Sequence, residues 1–325
     1  MKKSHLLFGM AALTAALPLT APTWADNYPN RPITIIVPFP PGDGTDLVAR
    51  LIGAEIGAQL GQAVVIENKP GATGQLGLAM TAKASPNGYT LGVAQVANMA
   101  LAPSTYRNLP YHPLKDFVPV AMLSTNYLAV VTRPDAPFKT VSEMTQWAKA
   151  HPDTLTLGTT GTAGLQHLSF ALLAKESNGF TFTNVPYKGN GAVMTDLVGG
   201  RIDVAFPSYT AAAPLIASGQ IRLLGITNPG RDARLKDLPT VGESVPGYGA
   251  VGWYGIVAPA GTPPAIVKRL NAEINRATRQ PRIQDALHAM GLQPVTESPE
   301  YFGQLIDAES QKFAALVKDI GYEPQ

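Results

Sequence analysis

Short runs of apolar residues recur along the chain, and most of them are apolar at consecutive positions rather than at every second one. Runs of this kind are typical of strands that are buried on both faces of a parallel sheet. We therefore predict strands at residues 33–37, 64–67, 90–94, 155–158, 204–206, 223–227 and 256–258.

Between the predicted strands, apolar residues recur every three or four positions, which is the spacing of one helix face. Thr262 and Pro263 are predicted to form the N-cap and the first turn of one helix. Ser298 and Pro299 are predicted to open the last helix, and Gly321 is predicted to end it. Because strands and helices alternate, the predicted fold class is α/β, with parallel sheets.

The composition fits a folded protein with one large domain or two smaller ones. The chain has 325 residues, of which 45% are hydrophobic and 15% are charged, so it can bury a full core. It contains no cysteine. This excludes disulfide frameworks, thiolate metal sites and cysteine nucleophiles.

The composition changes at two places, residues 119–126 and residues 246–252. If the chain crosses between two lobes there, residues 26–123 and 250–325 form the first lobe and residues 124–249 form a second, inserted lobe. Two crossings make a hinge, and a cleft between two α/β lobes is a common site for a small molecule.

The first 25 residues have the pattern of a secretory signal peptide. Lys2 and Lys3 precede an apolar stretch at residues 6–17, and small residues flank a cleavage site after Ala25. Removing these two lysines lowers the number of Lys and Arg from 25 to 23, which equals the 23 Asp and Glu, so the mature chain has a formal net charge of zero. Such a balance argues against a nucleic-acid partner. We expect a periplasmic protein.

Two loops that are rich in small residues each join a predicted strand to a predicted helix. The N–H groups at the start of a helix lack partners and lie at its positive end, so such loops suit a carboxylate. The candidate ligand-binding residues of the first loop are Phe39, Pro41, Gly42, Asp43, Gly44 and Asp46. Those of the second loop are Thr159, Thr160, Gly161, Thr162, Ala163 and Gly164, followed by His167.

Each of these features also has a plainer interpretation, because glycine-rich turns are common between strands and helices. Asp46 is either a helix N-cap or an acceptor for a ligand hydroxyl or amine. A third loop, residues 69–75, has the same form and is equally well interpreted as a simple turn. The motifs of nucleotide-binding loops, serine hydrolases and zinc proteases do not occur in the sequence. We therefore predict no cofactor, no metal and no catalytic residue.

Ten short motifs are spread over most of the chain. They are YPNRPI (28–33), VPFPPG (37–42), ENKPGA (67–72), PNGYTL (86–91), LPY (109–111), KDF (115–117), VPYKG (185–189), GGRID (199–203), WYG (253–255) and APAGTP (258–263). In this order they resemble the Bug (TctC-like) family of periplasmic solute-binding proteins, which serve tripartite tricarboxylate transporters. The resemblance covers essentially all of residues 26–325.

The resemblance implies a type II periplasmic-binding-protein fold, in which two lobes close on a small organic carboxylate that is then passed to membrane subunits. It implies that the second loop grips the carboxylate and that the first loop contacts the ligand partly through bridging waters. Asp203 matches a recurrent acidic position near the cleft, and its alternative interpretation is a structural carboxylate at the start of a strand. We expect a monomeric, non-enzymatic receptor.

One departure from the family pattern concerns the first loop, where Asp43 follows Gly42 in place of the usual second glycine. This side chain adds negative charge and makes a ligand with a donor group more plausible. Two other functions stay open. A sensory receptor would dock on a membrane sensor, and a carboxylate-processing enzyme on the same scaffold would use His167, Asp46 or Asp203 as its base.

Overall fold

The computed structural model describes residues 27–162, 164–228 and 237–324, so the predicted signal peptide at residues 1–25 lies outside the described residues. The strands are β1 (Ile33–Val37), β2 (Val64–Asn68), β3 (Thr90–Gln95), β4 (Phe117–Tyr127), β5 (Ala129–Thr132), β6 (Thr156–Thr159), β7 (Thr183–Pro186), β8 (Val204–Ala205), β9 (Arg222–Ile226), β10 (Val251–Pro259) and β11 (Leu292–Pro294). The α-helices are α1 (Gly44–Leu60), α2 (Gln75–Ala82), α3 (Ala102–Thr105), α4 (Val141–Ala150), α5 (Leu165–Glu176), α6 (Asn190–Val198), α7 (Tyr209–Ala217), α8 (Val241–Ser244), α9 (Pro264–Thr278), α10 (Pro281–Ala289) and α11 (Pro299–Asp319). A short 3₁₀ turn (Ala72–Gly74) precedes α2, and a π-helical turn (Ala97–Leu101) precedes α3.

The first sheet has the strand order β11-β4-β10-β3-β1-β2. Strand β1 pairs in parallel with β2 and β3, whereas β10 is antiparallel to both of its neighbours. Ile33 and Ile35 on β1 are buried in one cluster with Val48, Ile52 and Ile56 of α1. This packing fixes the start of α1 at the carboxyl end of β1.

The second sheet has the order β7-β6-β8-β5-β9. Strand β6 pairs in parallel with β7 and β8, and β5 is antiparallel to β8 and β9. The fold is therefore α/β with two sheets, as predicted. Both sheets are mixed rather than purely parallel. The strands β4, β5, β9 and β10, which flank the two places where the chain passes from one sheet to the other, are antiparallel to their neighbours.

The chain changes sheets twice, between the end of β4 at Tyr127 and the start of β5 at Ala129, and again in the segment between β9 and β10. The predicted lobe boundary at residues 123/124 falls inside β4, and the one at 249/250 lies just before β10. These residue bounds for the two lobes stay a prediction. Helix α11 packs on β4 and also contacts α5 beside the second sheet, where Lys175 Nζ lies 2.5 Å from Asp319 Oδ2.

Most of the predicted strands form, with ends that differ by one or two residues. The largest change is at residues 256–258, which are part of the much longer β10. Strands β4, β5, β7 and β11 are absent from the predicted set. Strands β5, β7 and β11 have at most four residues each and carry little pattern of their own. Strand β4 has 11 residues, but it contains Pro119 and coincides with the segment interpreted as a change of composition.

The predicted ends of two helices have different outcomes. Ser298 caps α11, accepting a hydrogen bond from the N–H of Tyr301, and Gly321 follows the helix with a left-handed φ of 64°. The prediction for Thr262 is wrong, because its hydroxyl instead donates to the carbonyl of Pro259 at 2.7 Å. Pro263 is the N-cap of α9. No helix within residues 27–162, 164–228 and 237–324 is long and apolar enough to cross a membrane.

Candidate functional site

A pocket of about 300 Å³ lies between two groups of residues. One group belongs to the turns and short helices that connect strands of the first sheet, and the other belongs to the loop that follows β6 in the second sheet. We call this pocket the inter-lobe pocket. Its first-lobe side is formed by Thr73, Ala97, Leu101, Thr105 and Tyr106, and its second-lobe side by Thr160, Gly161, Thr162, Gly164 and Leu165, with Tyr322 beside them. Four of the predicted site residues therefore lie on one wall of one pocket.

The second loop presents the open start of a helix to this pocket. Helix α5 begins after Gly164, which has no side chain to cap the helix, and no acidic residue lies in its first turn. Thr159 is fully buried, and its hydroxyl lies 2.8 Å from Asn184 Oδ1 on β7. The wall thus offers the Thr162 hydroxyl and the N–H groups of the first helical turn, at the positive end of a 12-residue helix. Ala163 lies outside the described residues.

Gln166, in the first turn of α5, shapes this loop and was not among the predicted residues. Its side-chain oxygen accepts hydrogen bonds from the Thr160 N–H at 2.8 Å and from the Thr160 hydroxyl at 3.0 Å. Its amide group donates to Asn190 Oδ1 at 3.0 Å. The three bonds fix the loop against the start of α6. A polar residue in the first turn after a glycine-rich loop is the signal in the sequence that could have suggested this role.

The first loop is arranged differently, because its own carboxylates bond to its N–H groups. Asp43 is the N-cap of α1, and its Oδ1 accepts from the Thr45 N–H at 2.9 Å. Asp46 is not the N-cap. It is 1% exposed, and its oxygens accept from the Gly42 N–H at 2.9 Å and from the side chains of Arg50 at 2.9 Å and Asn68 at 2.8 Å.

The ionisation of Asp46 follows from these bonds. Burial raises the pKa of a carboxyl, but the hydrogen bonds from Arg50, Gly42 and Asn68 outweigh it and hold the pKa of Asp46 below its usual value. An ionised Asp46 thus has three of its about four acceptor positions occupied by groups of the protein. The arrangement fixes the path of the first loop.

The two predicted loops do not line the same pocket. Residues Pro41 to Gly44 are exposed, and Gly44 lines a separate pocket of about 280 Å³ with Ser208 and Tyr254. Phe39 lies beside Gly74 in the third loop, where a Cβ atom would come within 3.2 Å of the Phe39 ring. Of the first loop, Phe39 is thus the residue nearest to the third loop, which lines the inter-lobe pocket.

His167 and Asp203 lie away from the inter-lobe pocket. His167 lines a neighbouring pocket with Phe182, whose ring it meets edge to face at 5.8 Å, and burial lowers its pKa. Asp203 precedes β8, and its carboxylate accepts from the Thr156 N–H and hydroxyl at 3.0 and 2.7 Å and pairs with Arg133 at 2.8 Å. Thr156 is the first residue of β6, whereas the second loop follows the last residue of that strand. Asp203 is therefore bonded at the end of β6 that is opposite to the second loop. These contacts favour the structural interpretation of Asp203.

The third loop lies opposite the second loop across the pocket. Ala72 and Thr73 both have left-handed backbones, with φ of 46° and 55°, which is uncommon for residues other than glycine. The Thr73 hydroxyl lies 2.9 Å from the Tyr106 hydroxyl. The third loop is therefore more than a simple turn, because Thr73 lines the inter-lobe pocket and its hydroxyl is bonded to Tyr106.

The chain is similar to known proteins in both sequence and structure. Residues 48–322 match the model of the TctC family, described as the tripartite tricarboxylate transporter family receptor. BugT of Bordetella pertussis is 34% identical over 323 residues, which cover 99% of each chain. Rpa4515 of R. palustris, solved with adipate, is 31% identical with a TM-score of 0.76 over 92% of this chain and 100% of its own. MatC of Rhodopseudomonas palustris, solved with malate, is 34% identical with a TM-score of 0.71 over 89% of this chain and 100% of its own.

Proposed function

Because the chain belongs to the TctC family of tripartite tricarboxylate transporter receptors, we propose that it captures a small organic acid in the periplasm and delivers it to the membrane subunits of such a transporter. In this proposal the signal peptide at residues 1–25 directs export, and the mature protein acts as a monomer. It binds its ligand without a cofactor and releases it unchanged.

The observation that supports this proposal most directly is the open start of α5 in the inter-lobe pocket. A carboxylate placed there accepts hydrogen bonds from N–H groups at the start of the helix and lies at the positive end of the helix dipole. The hydroxyl of Thr162 adds a donor on the same wall, whereas the Thr160 hydroxyl already donates to Gln166. Two solved relatives with bound adipate and malate support a carboxylate as the ligand class.

The lobes close by a shift between two conformations. Ligand bonds made to both walls of the pocket favour the closed form, whereas the empty protein favours the open one. The second loop, from Thr159 to Gly164 with Ala163 included, grips the carboxylate first. The first loop, including Pro41, Gly42 and Asp43, approaches the ligand on closure.

Thermal unfolding in the presence of mono-, di- and tricarboxylates tests the proposal. An acid present at about 100 times its Kd stabilises the folded state by about 2.7 kcal/mol. Native mass spectrometry of the freshly purified protein identifies any acid that has been retained from the cell. A protein that none of these acids stabilises, but that a sugar or a metal ion stabilises, would overturn the proposal. Conversion of the bound acid on long incubation would show an enzyme instead.

A further inference from the structure

The first-lobe wall of the inter-lobe pocket is built from neutral side chains. Its described lining residues are Thr73, Ala97, Leu101, Thr105 and Tyr106. The Thr105 hydroxyl donates to the carbonyl of Leu101 at 3.1 Å, so its hydrogen is used within the helical turn. The side-chain hydrogen-bond donors of this wall are therefore the hydroxyls of Thr73 and Tyr106, and Ala97 and Leu101 add aliphatic surface.

This hydroxyl pair has one hydrogen to give to a ligand. The two oxygens are 2.9 Å apart, and either can be the donor between them. One of the two hydroxyl hydrogens lies in that bond, and the other is free to point into the pocket, together with lone pairs on both oxygens. The pair thus offers one donor and an acceptor. A hydroxyl group of a ligand has the same combination and matches it, whereas a carboxylate needs several donors and has none to give.

Two backbone N–H groups beside this wall are bonded within the protein. At the start of α2, Gly74 N–H donates to the carbonyl of Gly71 at 3.0 Å, and Gln75 N–H donates to the carbonyl of Ala72. At the start of α1, the carboxylates of Asp43 and Asp46 accept from the loop N–H groups. The starts of α1 and α2 therefore carry hydrogen bonds from within the protein, whereas α5 begins at a glycine without a side-chain cap.

From these contacts we propose that the ligand carries a single carboxylate, bound at α5, and that its other end is an uncharged hydroxyl group bound by Thr73 and Tyr106. The proposal rests on the proposed function, since it concerns the far end of the same ligand. It makes Thr73 and Tyr106 the residues that determine specificity. The left-handed backbone of Thr73 is a strained conformation, and the bond to Tyr106 is a contact that holds its hydroxyl in this place.

Calorimetric titration with three acids of equal chain length tests this assignment. The probes are 6-hydroxyhexanoate, hexanoate and adipate, with 4-hydroxybutanoate, butanoate and succinate as the shorter set. We expect the hydroxy acid of the better-fitting length to bind about tenfold more tightly than the methyl-ended acid, which is the usual value of one hydrogen bond. We expect it to bind about a hundredfold more tightly than the diacid, because the second carboxylate loses its hydration at a wall that gives it one donor.

The substitution Tyr106→Phe removes the hydroxyl and keeps the ring. It is expected to abolish the preference for the hydroxy acid over the methyl-ended acid while leaving the affinity for the methyl-ended acid within about threefold. Tyr301→Phe is the matched control, because Tyr301 is an exposed tyrosine on α11 that does not line this pocket. It is expected to change neither the preference for the hydroxy acid nor the affinity for the methyl-ended acid.

The outcomes separate this assignment from the proposed function. Tightest binding by either diacid or by either methyl-ended acid overturns the assignment of the far end and leaves the carboxylate receptor intact. An unchanged preference in Tyr106→Phe also overturns it. If none of the six acids and none of the wider carboxylate panel binds, the proposed function itself fails.

Discussion

The first and second loops have the same form in the sequence, yet they use the start of a helix in opposite ways. In the first loop, Asp43 caps α1 and bonds to the Thr45 N–H, so the protein supplies its own anion. In the second loop, α5 begins at Gly164 without a side-chain cap among the described residues, and the loop faces a pocket. A single carboxylate side chain inside the loop decides whether the N–H groups at a helix start bind the protein or are left for a ligand.

The largest effect is expected from giving the second loop the side chain that the first one has. In Gly164→Asp the new carboxylate bonds to the start of α5 and repels an anionic ligand, so affinity for the bound acid falls about a hundredfold, or about 2.7 kcal/mol. The backbone accepts the change, because φ at Gly164 is −75° and a Cβ would meet only Gly161 O at 3.9 Å. Calorimetry measures the affinity.

Gly164→Ala is the control for this substitution, because it adds the Cβ without the carboxylate. It is expected to stay within about threefold of the parent affinity, since it removes no donor. Equal losses in both variants would mean that the added bulk matters rather than the occupied N–H groups, and the contrast between the loops would lose its support.

Asp46→Asn is expected to lower the free energy of unfolding by about 1–3 kcal/mol at neutral pH, because it weakens the bonds from Gly42 and Arg50. The pKa of Asp46 is lowered in the folded state, so its contribution is complete above the pKa of an unfolded aspartate, about 3.9, and is lost as the pH falls through the folded-state value. Urea unfolding at pH 7 and at pH 3 measures the free energy of unfolding of the parent protein and of Asp46→Asn. The difference between them shrinks at the lower pH; a constant difference would contradict this account.

Gln166→Glu places a negative charge beside Thr160 without changing the size of the side chain. We expect about a tenfold loss of affinity for an anionic ligand, which shrinks at high salt because the repulsion is screened. Gln166→Met, which loses the bonds without adding charge, is the control and shows no such salt dependence. A loss in Gln166→Glu that is independent of salt would point to a disordered loop instead.

The smallest effect is expected from removing the carboxylate of Asp43, which caps α1 in the first loop. Asp43→Ala removes the cap of α1 and lowers the free energy of unfolding by about 1 kcal/mol, with a smaller loss of affinity than in Gly164→Asp. Asp43→Asn, which still caps a helix, is expected to retain the stability. A strong loss of affinity in Asp43→Asn at unchanged stability would assign the first loop a direct part in ligand binding.

Local features of the site were predictable because they depend on few neighbouring residues. Val37 ends β1 where the apolar run ends, and the small residues before α5 mark the second loop. Asp43 was recognised as an added charge in the first loop, but its role as N-cap was not, since Asp46 is equally suited to that role by spacing alone. Gln166 was missed because its bonds reach back six residues to Thr160, beyond any helix-face pattern.

The sequence by itself determined the α/β class, the family resemblance and the loops at which helices start, because hydrophobic spacing and glycine placement act over a few residues. Only the tertiary structure decided that the third loop, rather than the first, lies across the pocket from the second. That pairing depends on how two sheets and α11 pack together, and the placement of residues as far apart as Thr73 and Gly164 on one pocket leaves no trace in local spacing. For the same reason, only the structure separated an occupied helix start from an open one.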